Sequence, residues 1–133
     1  MCWEPISESS LWDLLNQAEM RMDAHVSKLW DAVRIVPEKW RQHPHGDVGS
    51  GFWVVGVIGS RVIWFNDIEG GFNISNYRSN GEIDDYWCDQ LELELVLQNL
   101  LEFVLSGRPL IGRASPPKEG VYRDASQKTS PDR

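Results

Sequence analysis

The stretch G-F-W-V-V-G-V-I-G-S-R-V-I-W-F-N, residues 51–66, decides the fold. Its two halves, residues 52–58 and 61–66, are rich in β-branched and aromatic side chains, which pack well on a pleated surface. Between them Gly59-Ser60 offers a two-residue turn, with glycine at the first central position, as the type II′ turn that matches strand twist requires. The stretch is therefore a β-hairpin, opened by Gly49-Ser50-Gly51.

Downstream, Gly70-Gly71 marks a turn or bulge, residues 72–77 read as a third strand, and Asn80-Gly81 is another turn signal. Upstream, residues 38–42 suit either a short strand or an extended connector, and H-P-H-G-D (residues 43–47) is a loop by composition. The result is an antiparallel sheet of three to four strands.

Helices flank it. Leu11, Leu14, Leu15, Ala18, Met22, Val26, Leu29 and Val33 recur at steps of three or four, predicting one long N-terminal helix. Ser9 or Ser10 would cap it, and Pro37 would end it at or just before Val36. Leu93, Val96, Leu97, Leu100 and Val104 form a second stripe, predicting a C-terminal helix over residues 90–105. Asp89 and Glu92 have capping-box spacing, and Ser106-Gly107-Arg108-Pro109 is a stop signal. The expected fold class is α+β: an N-terminal and a C-terminal helix packed on one face of a small antiparallel sheet. Residues 1–112 would form the single domain and residues 113–133 a polar, disordered tail, with too little apolar surface to offset the entropy of ordering. The uncovered sheet face would carry exposed aromatics and mark a partner surface.

The 133 residues carry a net charge of −7, unevenly placed. Residues 1–107 hold 7 Lys and Arg against 17 Asp and Glu, a balance of −10; residues 108–133 hold 6 against 3, a balance of +3. An acidic body argues against nucleic acid and anionic membranes, whose phosphates need a basic face, and favours a basic protein partner. Two cysteines, Cys2 and Cys88, do not make a secreted disulfide framework, and no apolar run reaches the roughly 20 residues that span a bilayer. The expected location is the cytoplasm.

The chemistry is thin. W-F-N-D-I-E-G-G-F-N-I-S-N-Y-R-S-N-G-E-I-D-D-Y-W-C, residues 64–88, gathers Asp67, Glu69, Glu82, Asp84 and Asp85 among Trp64, Tyr77, Tyr86 and Trp87. Aromatics give contact area at low entropic cost and carboxylates accept from lysine or arginine, so these nine residues are the candidate partner-binding set. Asp67 with Glu69, and Glu82 with Asp84, also have the spacing of carboxylates sharing one side of a strand, which leaves a carboxylate-based enzyme as an alternative. His43, His45 and Asp47 offer metal-ligand types without a fourth partner pattern, so no metal is expected. Cys88 precedes a helix start, where a dipole can activate a thiol, but no local signature ties a histidine base to it and a buried structural cysteine is the better reading. No phosphate-binding glycine motif is present, and no cofactor is expected.

Residues 64–97, with W-F-N-D-I-E-G-G-F-N-I-S, then G-E-I-D-D-Y-W-C and a leucine-rich helix, resemble small bacterial proteins of the immunity type from toxin–immunity systems. The resemblance covers about a quarter of the chain and transfers no individual residue's role. It implies a cytoplasmic, non-enzymatic protein that binds and neutralises a cognate partner. A self-associating structural protein, dimerising through the same acidic and aromatic face, is the other alternative.

Overall fold

The hairpin has the predicted boundaries. In the computed structural model, which describes residues 4–47 and 49–106, β2 (Phe52–Ile58) and β3 (Arg61–Asn66) pair antiparallel across Gly59, whose φ of 57° supplies the turn. β4 (Gly71–Asn76) pairs with β3 in unbroken register, from Arg61 opposite Asn76 to Asn66 opposite Gly71. β1 (Arg34–Trp40) completes a four-stranded antiparallel sheet in the order β1-β2-β3-β4. Of residues 38–42, the first three thus belong to a strand that begins four residues earlier and ends at Trp40, and Arg41 and Gln42 lie beyond it. Pro37 sits within it because β1 is an edge strand, where a missing N–H costs no ladder bond.

The fold is α+β, with three helices rather than two. α1 (Glu8–Arg21) is capped by Ser7, whose hydroxyl accepts from Ser10 N–H at 3.1 Å, not by Ser9 or Ser10. The chain turns extended at Met22, and Asp23 caps α2 (Ala24–Val33) by accepting from Val26 N–H at 2.8 Å. A single apolar stripe therefore hides two helices: the break is made by an aspartate that competes for the backbone locally. Helix ends at Val33, three residues before Val36, which belongs to β1. α3 (Leu93–Ser106) begins three residues later than predicted, because residues 89–91 pair with the sheet instead: Phe72 N–H donates to Leu91 O at 2.8 Å. The stop signal beyond Ser106, the domain limit at 112, the tail at 113–133 and Cys2 lie outside the described residues.

The helices cover one sheet face. Leu11, Leu15 and Ala18 of α1, Val26, Trp30 and Val33 of α2, and Leu93, Val96, Leu97 and Leu100 of α3 pack against Val55, Ile63, Phe65, Phe72 and Ile74. Glu19 closes this layer, accepting from the Trp30 indole at 2.8 Å and from Arg34 at 2.7 Å, with the Arg34 guanidinium over the Trp30 ring. Arg21, at the end of α1, grips Glu94 of α3 with two hydrogen bonds of 2.6 and 3.0 Å. Burial pushes the Glu94 carboxyl up, but the Arg21 hydrogen bond, the adjacent backbone N–H, Glu92 and the guanidinium charge outweigh it and hold it below the carboxylate norm.

The second face is not exposed, contrary to the expectation. Trp40, Phe52, Val54, Val62, Trp64 and Ile83 form a second buried cluster on it. Its cover is residues 77–92, a strap without helix or strand that links β4 to α3.

Candidate functional site

Most of the candidate residues lie on this strap or on the β3–β4 turn that meets it. The turn is built by Asn66, whose side-chain oxygen accepts from Ile68 N–H at 3.0 Å and Glu69 N–H at 3.2 Å, while its carbonyl accepts from Gly70 N–H at 2.7 Å. Asparagine bonding its own downstream backbone is a common way to close a turn. Glu69 is thereby left exposed. Asp67 turns inward, accepting from Ile6 N–H at 2.7 Å and so fastening the N-terminal segment.

The strap is anchored at three levels. At its start Tyr77 N–H donates to Ser60 O at 3.0 Å, and its ring stands edge-on to Trp40 with centroids 5.1 Å apart. Further on, the Arg41 backbone bonds both sides of Glu82 at the β1 edge: Arg41 N–H donates to Gly81 O and Ile83 N–H donates to Arg41 O, each 2.8 Å. Residues 85–89 then cross the second face held by side chains of the sheet beneath. Ser75 accepts from the Trp64 indole at 2.8 Å and donates to Asp85 O at 2.6 Å. Asn66 donates to Trp87 O at 3.0 Å, and Asn73 donates to Asp89 O at 3.1 Å while accepting from Asp89 N–H at 3.0 Å. Alternate carbonyls, 85, 87 and 89, point at the sheet because an extended chain repeats every two residues. Asn66, Asn73 and Ser75 are 0%, 3% and 1% exposed; polar groups so deep must be hydrogen-bonded, and the strap backbone is their partner.

The nine predicted residues separate under this geometry. Trp64 is fully buried under the strap, so it is a core residue and not a contact surface. Tyr77, Tyr86 and Trp87 are half-buried, their rings turned to the protein. Tyr86 stacks on His45 with centroids 3.7 Å apart, and the Trp87 indole donates to the Asp85 carboxylate. That carboxylate also accepts from Asn76 N–H at 2.8 Å. Glu82 and Asp84 are exposed and face arginines, Arg41 at 3.7 Å and Arg78 at 3.1 Å. The remaining acidity gathers at the junction of turn and strap. Burial pushes the Cys88 thiol up, and Glu69 and Asp89 add to the rise. The Tyr86 phenol is raised in the same way, chiefly by burial against a hydrogen bond with Asn66, with further help from Glu69, Cys88 and Asp67. A raised thiol is a poor nucleophile, so Cys88 is not activated by the helix that follows.

The metal-ligand types of the 43–47 loop also separate. His43 Nδ1 lies 2.8 Å from Asp47 Oδ2, while His45 Nδ1 turns to Gln42 Oε1 at 3.0 Å. Among the described residues no group of three His, Cys, Asp or Glu is placed to hold a metal ion. Two shallow clefts, of about 200 and 220 Å³, are lined by described residues. The first lies between α1, the β3–β4 turn and the strap end, and the second between the hairpin tip and the end of α3; neither contains a pair of carboxylates.

The residues missed in the sequence are Asn66, Asn73 and Ser75, which position the strap from beneath it; His45, considered there as a metal-ligand type, instead stacks on Tyr86. Comparison with protein-family models, curated proteins and solved structures gives no match. No helix among the described residues is long and apolar enough to cross a membrane.

Proposed function

We propose that this protein is a non-enzymatic binding module, immunity-like in kind, that captures a basic protein partner through the acidic junction of the β3–β4 turn and the strap. The observation that carries this reading is the concentration of negative charge at that junction: exposed Glu69, with Asp67 and Asp89 close enough for their field to reach Tyr86 or Cys88. The surface lies on a backbone fixed by hydrogen bonds from three buried side chains, so a partner would meet a preorganised face and little ordering entropy would be lost. Carboxylate chemistry has less support, since Asp67 and Asp85 hold backbone N–H groups and Glu82 and Asp84 face arginines.

The test uses the exposed Glu69 carboxylate, because Asp67 has a structural duty. Wild type and Glu69→Lys protein are immobilised side by side and exposed to lysate of the source cells at low and high salt. A basic protein held by the wild type, released by salt and lost by the variant supports the reading, since exposed charge pairs weaken as the screening length shortens. Equal retention by both forms would contradict it.

A further inference from the structure

We infer that the strap is a hinged cover that opens as a unit, uncovering the aromatic second face of the sheet while the helix-covered face stays folded. This inference is independent of which partner the acidic surface takes.

Three observations lead to it. The two cores are separate clusters on opposite faces; Tyr77, Ile83 and Tyr86 of the strap belong to the second, and only Leu91, at the end fixed next to α3, packs against the first. Of residues 77–92, Ile83 alone is a buried hydrophobic, whereas the three helices place ten buried apolar side chains on the other face. Opening the strap therefore exposes the second face alone and leaves the larger helix-covered cluster buried, and local opening of this kind is less costly than unfolding the whole. The grip is also of a kind that releases without damage elsewhere. Residues 85–89 hang from Asn66, Asn73 and Ser75 by side-chain hydrogen bonds, so their loss leaves every β2–β3–β4 ladder bond in place.

The ends supply the pivots. Gly81 has φ of 94° and open space around it, a conformation in which glycine can absorb a backbone rotation. At the other end the Phe72–Leu91 bridge ties the chain to β4 just before α3 begins, so α3 need not move. What the opening presents is a sheet surface bearing Trp40, Phe52 and Trp64, a contiguous aromatic patch of the sort that marks interaction sites. In the closed state the stack of Tyr86 on His45 and the Ile83–Arg41 backbone bond hold it shut.

Native-state hydrogen exchange on the full chain, in increasing urea below the unfolding transition, tests this. The strap reporters are the amides of Ile83, Asp84 and Asp89, bonded to Arg41 O, Asn76 O and Asn73 Oδ1. The core reporters are Ile63 in β3 and Leu97 and Leu100 in α3. The inference predicts that the three strap amides exchange together, faster than the core amides and with a shallower urea dependence, because that slope scales with the surface exposed. Val96→Ala, which weakens only the helix-covered core, should accelerate the core amides on the order of tenfold and leave the strap amides within about twofold. Strap amides that share the core's urea slope in the wild type, or the core's acceleration in Val96→Ala, would overturn it. The wild-type slopes decide the matter even if the variant does not fold.

Discussion

The two faces of one sheet are closed in different ways. On the first, three helices meet Val55, Ile63, Phe65, Phe72 and Ile74 with apolar stripes, and burial of hydrophobic area is the main adhesive. On the second, a strap without regular structure brings one fully buried apolar residue, Ile83, and is fixed by buried Asn66, Asn73 and Ser75. The helix layer tolerates small errors of placement because the hydrophobic effect has no direction. Hydrogen bonds to buried amides and hydroxyls do not, so the strap has one position and loses its grip abruptly when a partner is missing.

The second face is most sensitive at its base. Trp64→Ala removes a fully buried indole under the strap and also leaves the Ser75 hydroxyl without its donor; a loss of about 3–5 kcal/mol is expected in urea unfolding followed by far-UV circular dichroism. Next is Gly71→Ala. A Cβ there would stand 2.3 Å from Gln90 Cα and 2.4 Å from Asp89 O, backbone atoms that cannot step aside without carrying the strap with them. That variant should lose about 1–3 kcal/mol in the same experiment. Ser75→Ala isolates the polar grip, since it removes almost no apolar area yet leaves Asp85 O and the Trp64 indole unsatisfied. A loss of roughly 1–3 kcal/mol is expected, against almost nothing for Ser27→Ala on α2.

The smallest effect is on pH dependence. Burial lowers the pKa of His45, against the field of Asp47 and with that of His43. A histidine lowered in this way binds fewer protons folded than unfolded. Its contribution is therefore complete above the ordinary value near 6.5 and is lost as pH falls from there through the lowered folded value. His45→Phe keeps a ring against Tyr86 and cannot be protonated, so its stability should fall less than that of the wild type over that acid window in parallel urea titrations.

The same contrast explains what could be read in advance. Phe52–Ile58, Gly59-Ser60 and Arg61–Asn66 carry a turn with a stereochemical requirement between two β-rich runs, and their limits were visible residue by residue. The apolar stripe of α3 was equally plain, though its start was not. Asp89 and Glu92 imitate a capping box, while the backbone of residues 89–91 is already held by Asn73 and Phe72. The break at Met22-Asp23 was hidden because the apolar spacing continues across it. The second face was misread for a simpler reason. In F-N-I-S, residues 72–75, the alternation of apolar and polar looks like one buried and one solvated face, yet Asn73 and Ser75 are buried beneath the strap. The hint was Gly71: a glycine entering a strand marks a close backbone approach, here that of Asp89 and Gln90. The carboxylates were readable as a cluster, but their inward bonds to Ile6 and Asn76 depend on long-range placement that no local pattern encodes.

Whether the strap lies over the aromatic face is tested most directly by a nuclear Overhauser spectrum of the folded protein focused on the Tyr86 ring. Cross-peaks from Tyr86 to the rings of His45, Phe52 and Trp64 are predicted, in keeping with centroid separations of 3.7, 6.1 and 5.9 Å. A Tyr86 ring without those cross-peaks, beside a Trp64 indole proton in fast exchange with water, would show the second face bare and the strap elsewhere.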